Sequence, residues 1–143
     1  MKLSTRSRYG VRALLELAID YDKGPLQIKT IAEREKISNK YLEQLIAILK
    51  ASGLVTSVRG PKGGYMLSRQ PKDIHLSEVF KVLEGPITVF DCLVDKDACT
   101  RCGDCLTKKI WVNMQDAINK VLDSVTLQDM ANDAGKHKES TKK

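Results

Sequence analysis

The sequence predicts a mainly α-helical protein that carries one small β-hairpin and one helix too long for the rest of the domain. Three observations lead there. Apolar residues recur at i, i+3, i+4 and i+7 in several segments, the spacing of one buried helical face. β-prone residues are confined to two short runs on either side of the glycine-rich stretch Arg59-Gly60-Pro61-Lys62-Gly63-Gly64. Breakers at Lys23-Gly24-Pro25, Gly53, Pro71 and Gly85-Pro86 cut the periodic segments apart. The chain has 143 residues, 42% hydrophobic and 29% charged, which suits one folded domain with an appendage and argues against wholesale disorder.

Each element has its own signal. Ser4 or Thr5 can cap a first helix whose inward positions are Val11, Leu14, Leu15 and Ala18. A short helix over residues 28–35 turns Ile31 and Ala32 inward, and after a tight connection Ser38 is placed to cap a third helix over 39–51. That helix buries Leu42, Leu45, Ile46 and Leu49, and Gly53 sits where a left-handed C-terminal cap is wanted. Two short helices joined so closely form a helix-turn-helix. The strands, 54–58 and 65–68, then enclose a basic loop, so three helices and a hairpin in this order read as a winged helix with the loop as its wing. A fourth helix near 77–84 buries Leu76, Val79, Phe80 and Leu83.

The segment that follows holds too many turn formers and charges for a regular element. The longest periodic stretch begins near Leu106 and carries Trp111, Met114, Ile118, Val121, Leu122 and Val125. About 20 residues at 1.5 Å rise span roughly 30 Å. Such a helix outreaches the core of so small a domain, so its stripe is expected to pack on a second copy of itself in a homodimer. Thr126 and Asp129 form a capping-box pattern that opens a short final helix. The partition is a winged helix-turn-helix domain over residues 1–85, a cysteine loop over 86–105, the dimerisation and final helices over 106–134, and a tail over 135–143 expected to be disordered.

Charge is divided unevenly. Lys and Arg number 24 against 18 Asp and Glu, a net +6. Residues 1–72 hold 14 basic and 6 acidic side chains (+8), whereas residues 73–130 hold 6 and 10 (−4). A basic first half suits a polyanionic partner. In a helix-turn-helix the second helix enters the major groove. Its outward residues here are Asn39, Lys40, Tyr41, Glu43 and Gln44, opposite the leucine face. Glu43 can accept from cytosine N4, Gln44 can pair with adenine, and Lys40 suits guanine or phosphate. Arg59 and Lys62 on the wing, and Arg6, Arg8 and Arg12 at the start of the first helix, are candidates for phosphates or a minor groove. The competing reading is a solvated charged face on a winged helix that serves protein contact.

All four cysteines lie within 14 residues, spaced Cys92-x6-Cys99-x2-Cys102-x2-Cys105. No apolar run approaches the roughly 18 residues a membrane span needs, so the protein is expected in the cytoplasm, where clustered thiols favour metal over disulfide. Thiolates select zinc, copper(I) or iron-sulfur clusters. Paired C-x2-C knuckles a dozen residues apart, typical of structural zinc, are missing. The run from Cys99 to Cys105 instead looks like three ligands of a ferredoxin loop, with Cys92 in place of the absent Cys-Pro. An iron-sulfur cluster is the leading reading, with zinc and redox thiols as rivals. His75 and His137 read as surface histidines. With no flavin or nucleotide motif and no nucleophile-base pair, an enzyme or electron carrier is not expected.

Lys2-Leu3-Ser4-Thr5-Arg6, Tyr9-Gly10-Val11-Arg12, Tyr41-Leu42-Glu43-Gln44, the run from Gly53 through Val55 and Val58 to Gly60, Gly63-Gly64-Tyr65 and Leu83-Glu84-Gly85-Pro86 together resemble the IscR-type winged-helix transcriptional regulators. That family has IscR, NsrR, RirA and CymR branches. The similarity extends from the first residue to about Met130. It implies a homodimer joined through the long helix and bound to a pseudo-palindromic site in double-stranded DNA. It places Tyr41, Glu43 and Gln44 on the recognition helix and Arg59 in the wing. It further implies that Cys92, Cys99 and Cys105 ligate a cluster, since their spacing matches that of the cluster-binding branches and CymR-type members lack the trio. The position of the histidine ligand of IscR is Lys108 here, and that of the acidic ligand of NsrR-like members is Arg8. Cys102 is left as the fourth thiol, and both 2Fe-2S and 4Fe-4S stay open. The function implied is a regulator, expected to repress, that senses cluster supply, iron, nitric oxide or redox state. The alternatives are a CymR-like regulator of cysteine and sulfur metabolism, sensing through thiol oxidation or a partner enzyme, and a zinc-stabilised winged helix.

Overall fold

A computed structural model describes residues 2–101 and 103–141. Three helices come first, α1 (Thr5–Ile19), α2 (Ile28–Glu35) and α3 (Asn39–Ala51), then an antiparallel hairpin of β1 (Val55–Val58) and β2 (Gly64–Leu67). α4 (Leu76–Leu83), α5 (Lys108–Ser124) and α6 (Leu127–Thr141) complete the chain. The winged helix expected from periodicity is therefore present, and α1 and α3 begin at the serine caps the sequence offers. Ser4 Oγ accepts from Ser7 N at the start of α1, and Ser38 Oγ accepts from Tyr41 N at the start of α3.

Leu14, Ile31, Leu42, Leu49, Leu54, Ile74, Val79 and Leu127 are fully buried, and Leu17, Leu45, Ile46, Leu67 and Leu83 nearly so. α1 is the hub. It touches α2, α3, α4, β2 and α6, so its buried arc is wider than one amphipathic face and is rotated from the expected one. Ser7, Gly10, Ala13, Leu14, Leu17 and Ala18 are buried, whereas Val11 and Leu15 are only partly covered. On α4, which meets α1, α3 and α5, Val79 and Leu83 are buried but Leu76 and Phe80 are only half-buried.

Two long-range contacts leave no local trace in the sequence. Leu26 pairs with Tyr65 through Leu26 N to Tyr65 O at 2.9 Å and Tyr65 N to Leu26 O at 2.8 Å, so a short third strand braces the hairpin. His75 likewise bridges Thr126, with Leu76 N donating to Val125 O and Leu127 N to Ile74 O. This bridge brings Leu127 into the core.

The final helix corrects the expected tail. Residues 135–143 were expected to be disordered and the helix before them short, yet α6 continues through Thr141. Its first turns lie along α1 and the turn Pro71–Asp73. The rest is carried by helix formers such as Ala134, Lys136, Lys138 and Glu139, and Ser140 and Thr141 hydroxyls donate to His137 O. The capping box is present in both directions: Thr126 N donates to Asp129 Oδ2 at 2.9 Å and Asp129 N to Thr126 Oγ1 at 3.2 Å.

Candidate functional site

The turn between α2 and α3 is built by Lys36, which takes the left-handed conformation (φ 55, ψ 47) that ends α2, while Ile37 N donates to Ala32 O. It is the sole non-glycine residue with positive φ among the described residues. With Leu42, Leu45, Ile46 and Leu49 committed to the core, α3 presents Asn39, Lys40, Glu43 and Gln44 to solvent. Tyr41 is half-buried because its ring meets the edge of Tyr9 at 6.0 Å.

Tyr9 is the residue that pattern reading overlooked. The guanidinium carbons of Arg8 and Arg12 lie 5.1 and 5.3 Å from its ring centre, so it links the arginine-rich start of α1 to the recognition helix. Arg12 Nε donates to Glu35 Oε2, which ties part of its guanidinium to α2. Burial, and a hydrogen bond with Glu16, push the Glu35 carboxyl above its usual range against the opposing pull of Arg12. Arg6 and Arg8 remain exposed.

In the hairpin, Val55 pairs with Leu67 and Val58 with Gly64, which leaves Arg59, Gly60, Pro61 and Lys62 exposed at the tip. The glycines behind the tip answer to space. A Cβ on Gly63 would lie 2.1 Å from Val58 O, and one on Gly64, at φ +150, would lie 2.5 Å from Leu26 O.

The cysteine segment folds into two single 3₁₀ turns, Asp91–Leu93 and Lys96–Ala98, the second capped by Asp95. Cys92 and Cys105 are half-buried and Cys99 is exposed. Cys102 lies outside the described residues. Among the described residues no three His, Cys, Asp or Glu side chains are grouped to hold a metal ion, so Cys92, Cys99 and Cys105 do not by themselves form such a group. The Cys105 thiol lies 3.2 Å from Thr107 Oγ1, and that contact, helped by the Thr107 and Lys108 backbone, lowers its pKa from the ordinary thiol value. Gln115 of α5 grips the strand-like start of the segment, accepting from Val89 N and donating to Ile87 O, both at 2.8 Å. Phe90 packs on Trp111 with ring centres 4.7 Å apart.

The stripe expected on α5 is divided. Trp111, Ile118, Leu122 and Val125 are half-buried against their own chain, because α5 packs on α4 and covers residues 87–90. Met114 (45% exposed) and Val121 (59%) sit on the adjoining face with Ile110 (54%). The exposed apolar face is thus Ile110, Met114 and Val121, one helical row rotated from the expected one. Among the described residues no helix is long and apolar enough to cross a membrane.

The arrangement has known counterparts. CymR of Bacillus subtilis is 41% identical over 131 residues, covering 92% of this chain and 90% of that protein. The structure of that CymR, described as the global cysteine regulator of its organism, superposes with a TM-score of 0.80 at 40% identity, covering 92% of this chain and 97% of the other. The IscR structure from T. potens matches with a TM-score of 0.76 at 45% identity over 94% of this chain and 88% of that one. Residues 3–133 match the model of the Rrf2 family, described as iron-dependent transcriptional regulators. With nearly the whole chain matched in sequence and in fold, this protein belongs to the Rrf2 family of winged-helix transcriptional regulators.

Proposed function

We propose that the chain works as a cytoplasmic homodimer that represses transcription from a pseudo-palindromic double-stranded DNA site, and that residues 86–105 are its sensor. The observation that carries this reading is the exposed polar row of α3, Asn39, Lys40, Glu43 and Gln44, opposite a fully buried leucine face and joined through Tyr41 and Tyr9 to Arg8. Base edges fall to Glu43 and Gln44, and phosphates to Lys40, Arg59, Lys62, Arg6 and Arg8. Dimerisation rests on Ile110, Met114 and Val121, an apolar row on a helix with no fully buried residue of its own. Selection of bound fragments from a random DNA pool tests it. A symmetric consensus with half-sites about 34 to 36 Å apart, or a multiple, is expected, and recovery of unrelated fragments contradicts it.

For the sensor, the donor set fits a soft metal group. Cys92, Cys99 and Cys105, with Cys102 as fourth thiol, would hold an iron-sulfur cluster, 2Fe-2S or 4Fe-4S, which supplies a redox- and nitric-oxide-sensitive tie between separated parts of the segment. The lowered pKa of Cys105 and the likeness to CymR favour a second reading, in which the thiols themselves are oxidised. Anaerobic reconstitution with iron and sulfide divides the two. Visible charge-transfer bands lost in each of Cys92→Ala, Cys99→Ala and Cys105→Ala support the cluster. A colourless protein whose DNA binding responds to peroxide supports thiol oxidation, and stoichiometric zinc excludes both.

A further inference from the structure

The hydrogen bonds at the start of α1 cross 80 residues of sequence. Glu84, the C-terminal cap of α4, accepts from Ser4 N and, at 2.6 Å, from Ser7 Oγ with the same carboxylate oxygen. Ser7 is 0% exposed, a buried hydroxyl inside an otherwise apolar interface. One turn on, Gly10 admits Leu83 so closely that a Cβ there would lie 2.6 Å from Leu83 Cδ1. The carboxylate also lies at the positive end of the α1 dipole. The Ser4 and Ser7 contacts hold the Glu84 carboxyl below its usual range.

What this clamp holds is the turn that carries Arg6 and Arg8. What it is attached to is the cysteine segment, because Gly85, at φ 79, and Pro86 follow Glu84 directly, and Gln115 grips Ile87 and Val89 just beyond. Withdrawing residues 85–89 from α1 would pull Glu84 off Ser4 and Ser7, leaving the first turn of α1 with only its local cap, Ser7 N to Ser4 Oγ, among the hydrogen bonds described.

We infer that Glu84 is a positioning residue for DNA binding: it fixes Arg6 and Arg8 through Ser4 and Ser7, and it makes the placement of the cysteine segment felt at the phosphate contacts of α1. The inference rests on the DNA-binding reading above. Its signature differs from that of a residue that merely stabilises the fold. Loss of a phosphate contact flattens the dependence of log K on log salt by about 0.9 per contact, whereas loss of folded protein lowers binding with the slope unchanged.

The experiment measures binding of the full chain to its selected DNA site from low to high salt. Glu84→Ala and Ser7→Ala are compared with Glu84→Gln, which keeps a carbonyl acceptor for both donors. Glu84→Ala is expected to weaken binding about tenfold at low salt and to flatten the slope by at least the value of one contact. Ser7→Ala should move both in the same direction by less, and Glu84→Gln should restore most of the slope. If Glu84→Ala does not fold, the Ser7→Ala and Glu84→Gln pair decides. Parallel salt lines in folded variants overturn the role of Glu84 and leave the DNA-binding reading standing. Wild-type protein that binds no DNA overturns that reading and this inference with it.

Discussion

Residues 2–84 and the excursion of residues 85–124 are built on opposite principles. Apart from Leu127, every fully buried apolar side chain lies before residue 84, whereas α5, the longest helix, buries none completely. The first region satisfies itself: its leucines face one another, and its ion pairs, Arg12 with Glu35 and Arg34 with Glu16 and Asp20, knit α1 to α2. The second region is tied within itself by Gln115 and the Phe90–Trp111 contact, packs on the first through α5 against α4, and turns an apolar row outward. Buried apolar contact is thus concentrated in the winged helix, and exposed apolar surface in the excursion that follows it.

The sharpest way to break this contrast is to remove equivalent apolar bulk from each side. Leu42→Ala, in the core of α3, should cost about 2 to 5 kcal/mol in denaturant unfolding. Met114→Ala should leave the stability of the isolated chain nearly unchanged, and a core-sized loss there would mean that α5 is buried after all. Next in size is Val121→Asp. A charge in the centre of an apolar contact should convert dimer to monomer by sedimentation and lower DNA affinity at least tenfold, since a dimer's two half-sites no longer bind together. Within the first region, Glu43→Ala should relax base preference by about 1 to 3 kcal/mol at one position, and Lys62→Ala should weaken all sequences alike with a slope shallower by about 0.9. Equal effects from the two would remove the division between reading and anchoring.

The smallest effect is on pH. Burial pushes Asp20 up, but Arg34 and Lys23 more than offset it, and backbone and hydroxyl donors likewise lower Glu84 and Asp129. An acid whose folded value is depressed contributes stability that is fully present above its unfolded value, near 4, and is lost as pH falls through the folded value. Unfolding midpoints should therefore decline below about pH 4. Glu35, raised by burial and by Glu16, acts with the opposite sign: it adds stability as pH falls from its raised value toward its unfolded one, and Glu35→Gln should remove that gain, which lies above about pH 4.

How much of this was legible in sequence follows the same division. The exposed polar row of α3 could be read because it is the complement of a strict leucine face, and the hairpin tip because glycine, proline and charge cluster between two β-prone runs. The Leu26–Tyr65 pairing and the entry of Leu127 into the core depend on backbone hydrogen bonds between distant residues, which no local period encodes. The α5 stripe could be read as apolar but not divided, because Trp111, Ile118, Leu122 and Val125 are half-buried against their own chain while Met114 and Val121 are exposed, and periodicity sums the two faces. The cysteines could be grouped by spacing alone, but convergence of thiols requires loop geometry, and among the described residues no three metal-ligating side chains are gathered.

The bridge between His75 and Thr126 has a consequence for how such a chain can change over time. Residues 75 and 126 are neighbours, so the chain between them is closed at its base: α4 stays in the core through Val79 and Leu83, and residues 85–125 form a detour that leaves the core and returns to the same place. Closing a detour grows costlier only slowly with length, about 0.6 kcal/mol for each doubling. The detour can therefore gain, lose or rearrange residues while the framework around α1 keeps its shape. A chain ended at residue 105, by contrast, would lose Leu127 and leave a side-chain-sized hole beside Ile74, although it keeps every residue of the DNA-facing surface.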